Sequence, residues 1–173
     1  MKADVEVGTY FVTLTVVSWI DVFIRPEYCA TVFESLEFCR RNKGLEVFEY
    51  ALLPSHLHMI VRRKQGLLSD VLRDFKSFTA KKLLAAIAGN DRESRREWMM
   101  SLFSEHGRRS APNTDLMFWQ KTNHPELIQT PGFYLQKAQY IRNNPVVMGL
   151  VAEPEHYAWS SAHPQAPLRT DEA

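Results

Sequence analysis

The chain has 173 residues, 45% of them hydrophobic and 24% charged, close to the averages for a globular protein, so general disorder is excluded. That length is room for one domain with a substantial core and not comfortably for two. Lysine and arginine number 21 against 20 acids, and the formal charge of +1 neither demands nor forbids a nucleic-acid partner; any attraction for phosphate must come from where charges are placed.

The first ten residues carry acids and no long apolar run, so no signal peptide is expected there. Thr9 to Trp19 is β-branched and aromatic with partial alternation, which predicts a strand. Pro26 opens a helix, since its missing N–H costs nothing in a first turn. The apolar positions Val32, Phe33, Leu36 and Phe38 fit one face, and Asn42-Lys43-Gly44 stops the helix. Cys29 and Cys39 fall on it, about 80° apart around the axis, which does not suit a bridge and matches no zinc spacing. Both read as reduced packing thiols. Leu45 to Leu53 predicts a second strand, Pro54-Ser55 a turn, and His56 to Arg62 a third strand.

From Leu67 the period becomes helical: Leu68, Val71, Leu72, Phe75, Phe78 and Leu83 lie near one stripe, with Arg73, Lys76, Lys81 and Lys82 off it, until Gly89-Asn90. Residues 90–115 are rich in Arg, Glu and Ser and read as a variable insertion with a short helix around Trp98 to Phe103. Phe118-Trp119 re-enters the core. Gly132 to Asn144 predicts another helix, ended by Pro145, and the Pro-containing tail after about residue 152 is expected to be irregular. The element order suggests an α+β sandwich of the split βαβ kind, an antiparallel sheet with helices on one face and a fourth strand hidden near residues 116 to 124. No stretch reaches the roughly 18 apolar residues of a membrane span, so the expectation is a cytoplasmic protein with no membrane partner.

His56-Leu57-His58 carries the chemistry. In a strand, residues i and i+2 project to one face roughly 7 Å apart, so both imidazoles point the same way while Leu57, Met59 and Val61 face the core. Two neutral imidazoles can ligate a divalent ion but make an incomplete site, and a His-x-His pair also arises by chance. Tyr140 and Asn144 share a helix face one turn apart. They read either as a phenol and an amide oxygen beside a metal, or as a packed tyrosine with an asparagine stop before proline.

Together, Leu53-Pro54-Ser55-His56-Leu57-His58-Met59-Ile60-Val61, the helix with Phe75-Lys76-Ser77-Phe78-Thr79, Phe118-Trp119-Gln120, and Tyr140-Ile141-Arg142-Asn143-Asn144-Pro145 with Val146 to Val151 resemble the single-tyrosine HUH transposases. The REP-associated tyrosine transposases and their insertion-sequence relatives are the nearest branch, and the resemblance runs from about Thr9 to Ser161. It implies a ferredoxin-like α+β fold and a Mg²⁺ or Mn²⁺ ion held by His56, His58 and Asn144, where many insertion-sequence members carry glutamine. It also implies a nucleophilic Tyr140 that forms a 5′-phosphotyrosine link to single-stranded DNA, usually near a hairpin. Monomers and homodimers with shared sites both occur in the family.

Arg142 and Val147 depart from the histidine and the basic residue that relatives often carry. Tyr134, on the same helix, lies some 120° around from Tyr140, so only one of the two can face the metal. Candidate DNA-binding cations are Arg62, Arg63, Lys76, Lys81, Lys82 and Arg142, with Arg108 and Arg109 in the insertion; each is equally readable as part of a solvated face. Trp98 and Trp119 are candidate base-stacking aromatics, with a core role favoured for Trp119, and His124 a candidate support for the site. The leading expectation is DNA strand cleavage and joining. The alternatives are a domesticated hairpin-binding protein without turnover and a phosphoesterase with no covalent step.

Overall fold

The computed structural model describes residues 8–172, so the reading of the extreme N-terminus lies outside the described residues. Strand β1 (Thr9–Thr15) leads through a short 3-10 turn to helix α1 (Pro26–Lys43), then β2 (Leu45–Leu52), β3 (His56–Arg63), α2 (Leu68–Ala88), α3 (Arg96–Ser110), β4 (Glu126–Leu127) and α4 (Pro131–Val147). The sheet order is β2-β3-β1-β4, every pair antiparallel. The unit β1-α1-β2 with β3 inserted between its strands is the split βαβ arrangement, so the α+β expectation holds.

Period-2 alternation builds the two faces. Tyr10, Val12 and Leu14 of β1 and Leu57, Met59 and Val61 of β3 enter the main core with the buried stripes of α1 and α2. Burying each such side chain is worth about 1.5–3 kcal/mol. Gly44 ends α1 at φ +66°, the left-handed conformation that a helix stop of this kind requires.

Four expectations are corrected. Helices do not share one face: α1 and α2 do, but α4 lies across the other, where Ala138 and Ile141 pack on Phe11, Phe48, Ala51 and Ile60. Alternation shows that the sheet has two faces, but β1 and β3 residues on the second are apolar only in patches, which hid the helix that covers it. Pro145 does not end α4 but sits in its last turn, where its missing N–H costs a single bond and Leu150 N still reaches its carbonyl. The first strand stops at Thr15, because Val16 bridges Trp119 and the chain then turns through left-handed Ser18 and Trp19. Phe38 and Phe78, expected in the core, are half exposed and line an open groove between α1 and α2.

The fourth strand lies just beyond its expected place, at Glu126–Leu127, pairing with Tyr10 and Phe11. The segment before it follows the same edge of β1, with Gln120 N donating to Thr15 O and Thr13 N to Asn123 O. The 90–115 stretch holds a 15-residue helix whose Met99 and Phe103 are fully buried in the main core. At Gly107 a Cβ would stand 2.7 Å from the Asp115 backbone, so this helix is locked against the following loop. The C-terminal tail is irregular, as expected, yet firmly attached: Leu168 is buried, and Asp171 accepts hydrogen bonds from Arg40 and Val47 N. Cys29 and Cys39 are free and buried. No helix among the described residues is long and apolar enough to cross a membrane.

Candidate functional site

His56 and His58 open β3, on the sheet face that α4 covers, and both are almost fully buried. Their ring centroids are 4.6 Å apart. The Ser55 hydroxyl lies 3.2 Å from His56 Nδ1, and the Thr13 hydroxyl lies 2.8 Å from His58 Nδ1, from the directly opposite position on β1. His58 Nε2 is buried with no partner. An orphaned ring nitrogen in a protein interior is costly unless something binds it. The tautomer in which Nδ1–H donates to Thr13 turns Nε2 into a lone-pair donor, the form a metal ligand needs.

Burial lowers the His56 pKa to about 4. It lowers that of His58 to about 3, with the neighbouring His56 and Lys137 adding to the effect. Desolvation penalises the charged imidazolium, so at neutral pH both rings are neutral and ready to ligate without first losing a proton.

Tyr140 projects from α4 onto this pair. Its ring meets His58 edge-on at 5.3 Å between centroids and Phe11 at 5.9 Å, while the residue stays 49% exposed. Its phenol is therefore packed at one side and open to a ligand at the other. Asn144 falls one turn further along and continues the sheet-facing stripe Ala138, Ile141, Asn144, buried to 9% exposure. Tyr134 sits elsewhere on the helix, packed at the Phe48–Ile60 patch, where burial raises its pKa. Thus Tyr140 and not Tyr134 stands beside the histidines. The residues fit a divalent ion: two neutral imidazoles, one with an unsatisfied nitrogen, and a buried amide one helical turn beyond Tyr140.

The candidate cations are mostly engaged elsewhere. Arg142 is bound to buried Glu49, which also accepts from the Ser161 hydroxyl at 2.8 Å. Arg62 pairs with Glu46 at 2.7 Å over the Phe48 ring, and Arg63 donates to Leu67 O at 2.8 Å. Lys76 is inward: its ammonium donates to Gln120 O, Lys121 O and Asn123 Oδ1, and burial lowers its pKa to about 8. Lys81 and Lys82 are exposed, but on α2, beneath the opposite sheet face from the histidines. Arg108 and Arg109 cap α3, with Arg109 paired to Glu105. Trp119 is buried and donates to Thr79 Oγ1; His124 is exposed before β4.

Sequence reasoning missed the groups that dress the site. Lys137, three residues before Tyr140 and so on its helix face, holds its ammonium 4.4 Å from the Phe11 centroid and pairs with Glu126 at 2.7 Å. That i, i+3 spacing was a signal available in the chain. Thr13 had only a weaker one, its place at an outward position of β1. Trp19 meets His56 at 5.2 Å between centroids and had none, because it was assigned to a strand.

No family model and no curated protein matches the chain. In structure, it is similar to a REP-associated tyrosine transposase bound to a REP hairpin, with a TM-score of 0.57 at 18% identity over 93% of this chain and 80% of that one. A crystal structure of a candidate transposase from Deinococcus radiodurans R1, at 1.90 Å resolution, aligns with a TM-score of 0.49 at 16% identity over 83% of this chain and 95% of that one. The fold is thus that of the REP-associated tyrosine transposase across nearly the whole length.

Proposed function

We propose that the chain is a metal-dependent tyrosine transposase that cleaves and rejoins single-stranded DNA beside hairpins. The observation that carries this reading is the packing of the Tyr140 ring on His58, whose Nε2 is buried and unpartnered. A structural histidine would have that nitrogen satisfied, and a structural tyrosine would not need to stay half exposed above it.

In this reading His56, His58 and Asn144 would hold the ion, Mg²⁺ or Mn²⁺, and it would supply Lewis-acid polarisation of the scissile phosphate and stabilisation of developing charge. Thr13 and Ser55 keep the imidazoles oriented. The Tyr140 phenolic oxygen attacks the phosphorus in line, a bond forms between it and the 5′-phosphate, and the P–O3′ bond breaks. The phenolic proton ends on the released 3′-oxygen by way of solvent. Attack by another 3′-hydroxyl reverses these changes and joins strands, and because the ester bond is conserved no nucleotide triphosphate is consumed. The hairpin preference follows the similarity to the hairpin-bound transposase and is tested with it.

The experiment uses hairpin oligonucleotides labelled at the 5′ or the 3′ end, incubated with Mn²⁺ and resolved on denaturing gels. The wild type is expected to retain the 3′-side fragment covalently, and Tyr140→Phe and His56→Ala to lose that adduct. Cleavage that survives in Tyr140→Phe would mean hydrolysis without a covalent step. Binding without cleavage by the wild type would identify a hairpin-binding protein.

A further inference from the structure

The connection after β1 holds an arrangement that folding alone does not explain. Ser18 and Trp19 both adopt φ +54°, two consecutive residues in the left-handed region that side chains other than glycine avoid at about 1–2 kcal/mol each. The strain is sustained because both flanks are anchored: Val16, Val17, Ile20 and Val22 are fully buried, and Val17 N donates to Phe118 O at 2.9 Å. The Ser18 hydroxyl, 2.7 Å from His106 Nε2 on α3, pins the tip of the turn. What the turn presents is the Trp19 indole, 58% exposed and set against the His56 ring. The exposed indole is thus held in place by a strained but well-anchored turn, with a flat apolar face left free beside the histidine pair.

We infer that Trp19 is a stacking platform for one unpaired nucleobase, that of a nucleotide flanking the bond broken at Tyr140. This rests on the reading under Proposed function. The chemistry matches: a flat, rigid, exposed indole stacks on any base, and single-strand binding draws on such faces. Placement matches as well, because the indole lies on the His56 side of the histidine pair and Tyr140 on the His58 side, so a strand crossing the pair meets both rings. Of the two aromatics proposed from the sequence for stacking, Trp119 is buried in the core and Trp98 is carried on α3; Trp19 is the tryptophan in contact with the histidine pair.

The test uses hairpins with randomised single-stranded flanks, enriched on the full wild-type chain in EDTA so that no cleavage occurs. The selected hairpin is then remade with 2-aminopurine, or with an abasic site, at each flank position in turn. The expected result is one position where 2-aminopurine fluorescence is quenched on binding and where the abasic site weakens affinity about tenfold. Trp19→Leu keeps apolar bulk but loses the flat face, and should abolish both effects at that position; Trp19→Phe should restore most of them. If Trp19→Leu binds, quenches and senses the abasic site as the wild type does, the platform is overturned while the transposase reading stands. If the wild type enriches no hairpin at all, both readings fall together.

Discussion

Thr13 on β1 and His58 on β3 are direct cross-strand partners, and their side chains meet at 2.8 Å between Oγ1 and Nδ1. One short hydroxyl thereby decides which way the more deeply set imidazole turns and which nitrogen it leaves free. Thr13→Val keeps the shape but strands Nδ1. It is expected to cost about 1–3 kcal/mol of stability and to weaken Mn²⁺ binding by about 10–100-fold. Chemical denaturation and calorimetric titration read the two effects, and Thr13→Ser should recover most of both. Unchanged Mn²⁺ affinity in Thr13→Val would show that the hydroxyl does not orient a ligand.

The buried histidines also set a pH dependence. Folded, they titrate at about 4 and about 3, whereas an unfolded chain protonates near the ordinary 6.5. Above pH 6.5 both states carry neutral rings and these groups add no slope. As pH falls from 6.5 towards 4, the unfolded state binds the extra protons, so the metal-free protein loses stability, by up to about 1.4 kcal/mol per pH unit for each histidine. Urea midpoints between pH 7.5 and 4.5 test this. The doubly substituted His56→Gln, His58→Gln protein should have the flatter curve, and equal curves would refute the assignment.

Arg142 and Lys76 should behave as structural residues and not as DNA contacts. Arg142→Met leaves the buried Glu49 carboxylate without its ion-pair partner. The cost is expected to be about 1–2 kcal/mol, below that of a fully buried pair because the guanidinium is half exposed. Arg142→Met with Glu49→Gln should recover much of it. Lys76→Met removes three hydrogen bonds to the 120–123 segment and should cost about 2 kcal/mol. For both residues, the salt dependence of hairpin binding should match the wild type. A slope lowered by about one would show a direct phosphate contact instead.

The C-terminal strap is a further point of stability. Leu168 is buried, its backbone N and O both pair with the Tyr50 hydroxyl, and Asp171 joins Arg40 to the β2 backbone. Ending the chain at residue 164 should lower stability by about 3–5 kcal/mol from the lost leucine burial and hydrogen bonds. Thermal melts of the shortened and full chains measure it; a shift under about 2 °C would mean the strap contributes little.

Local rules carried the sequence reading a long way. Gly44 ended α1, Pro26 began it, and the two-residue period of β3 set His56 and His58 on one face with Leu57, Met59 and Val61 on the other. These follow from backbone geometry within a few residues, which the sequence by itself determines. Helix α4 was visible, but not the face it covers. The cations were visible, but not their partners: Arg142 finds Glu49 across 93 positions and Lys76 finds Asn123 across 47. Only the tertiary structure decided those pairings, brought Tyr140 and not Tyr134 against His58, and turned a presumed strand end into the exposed Trp19. The reason is physical. A charge or a ring is satisfied by whichever group close packing brings within a few ångströms, and that neighbour is chosen by the burial of the whole chain and not by residues adjacent in sequence.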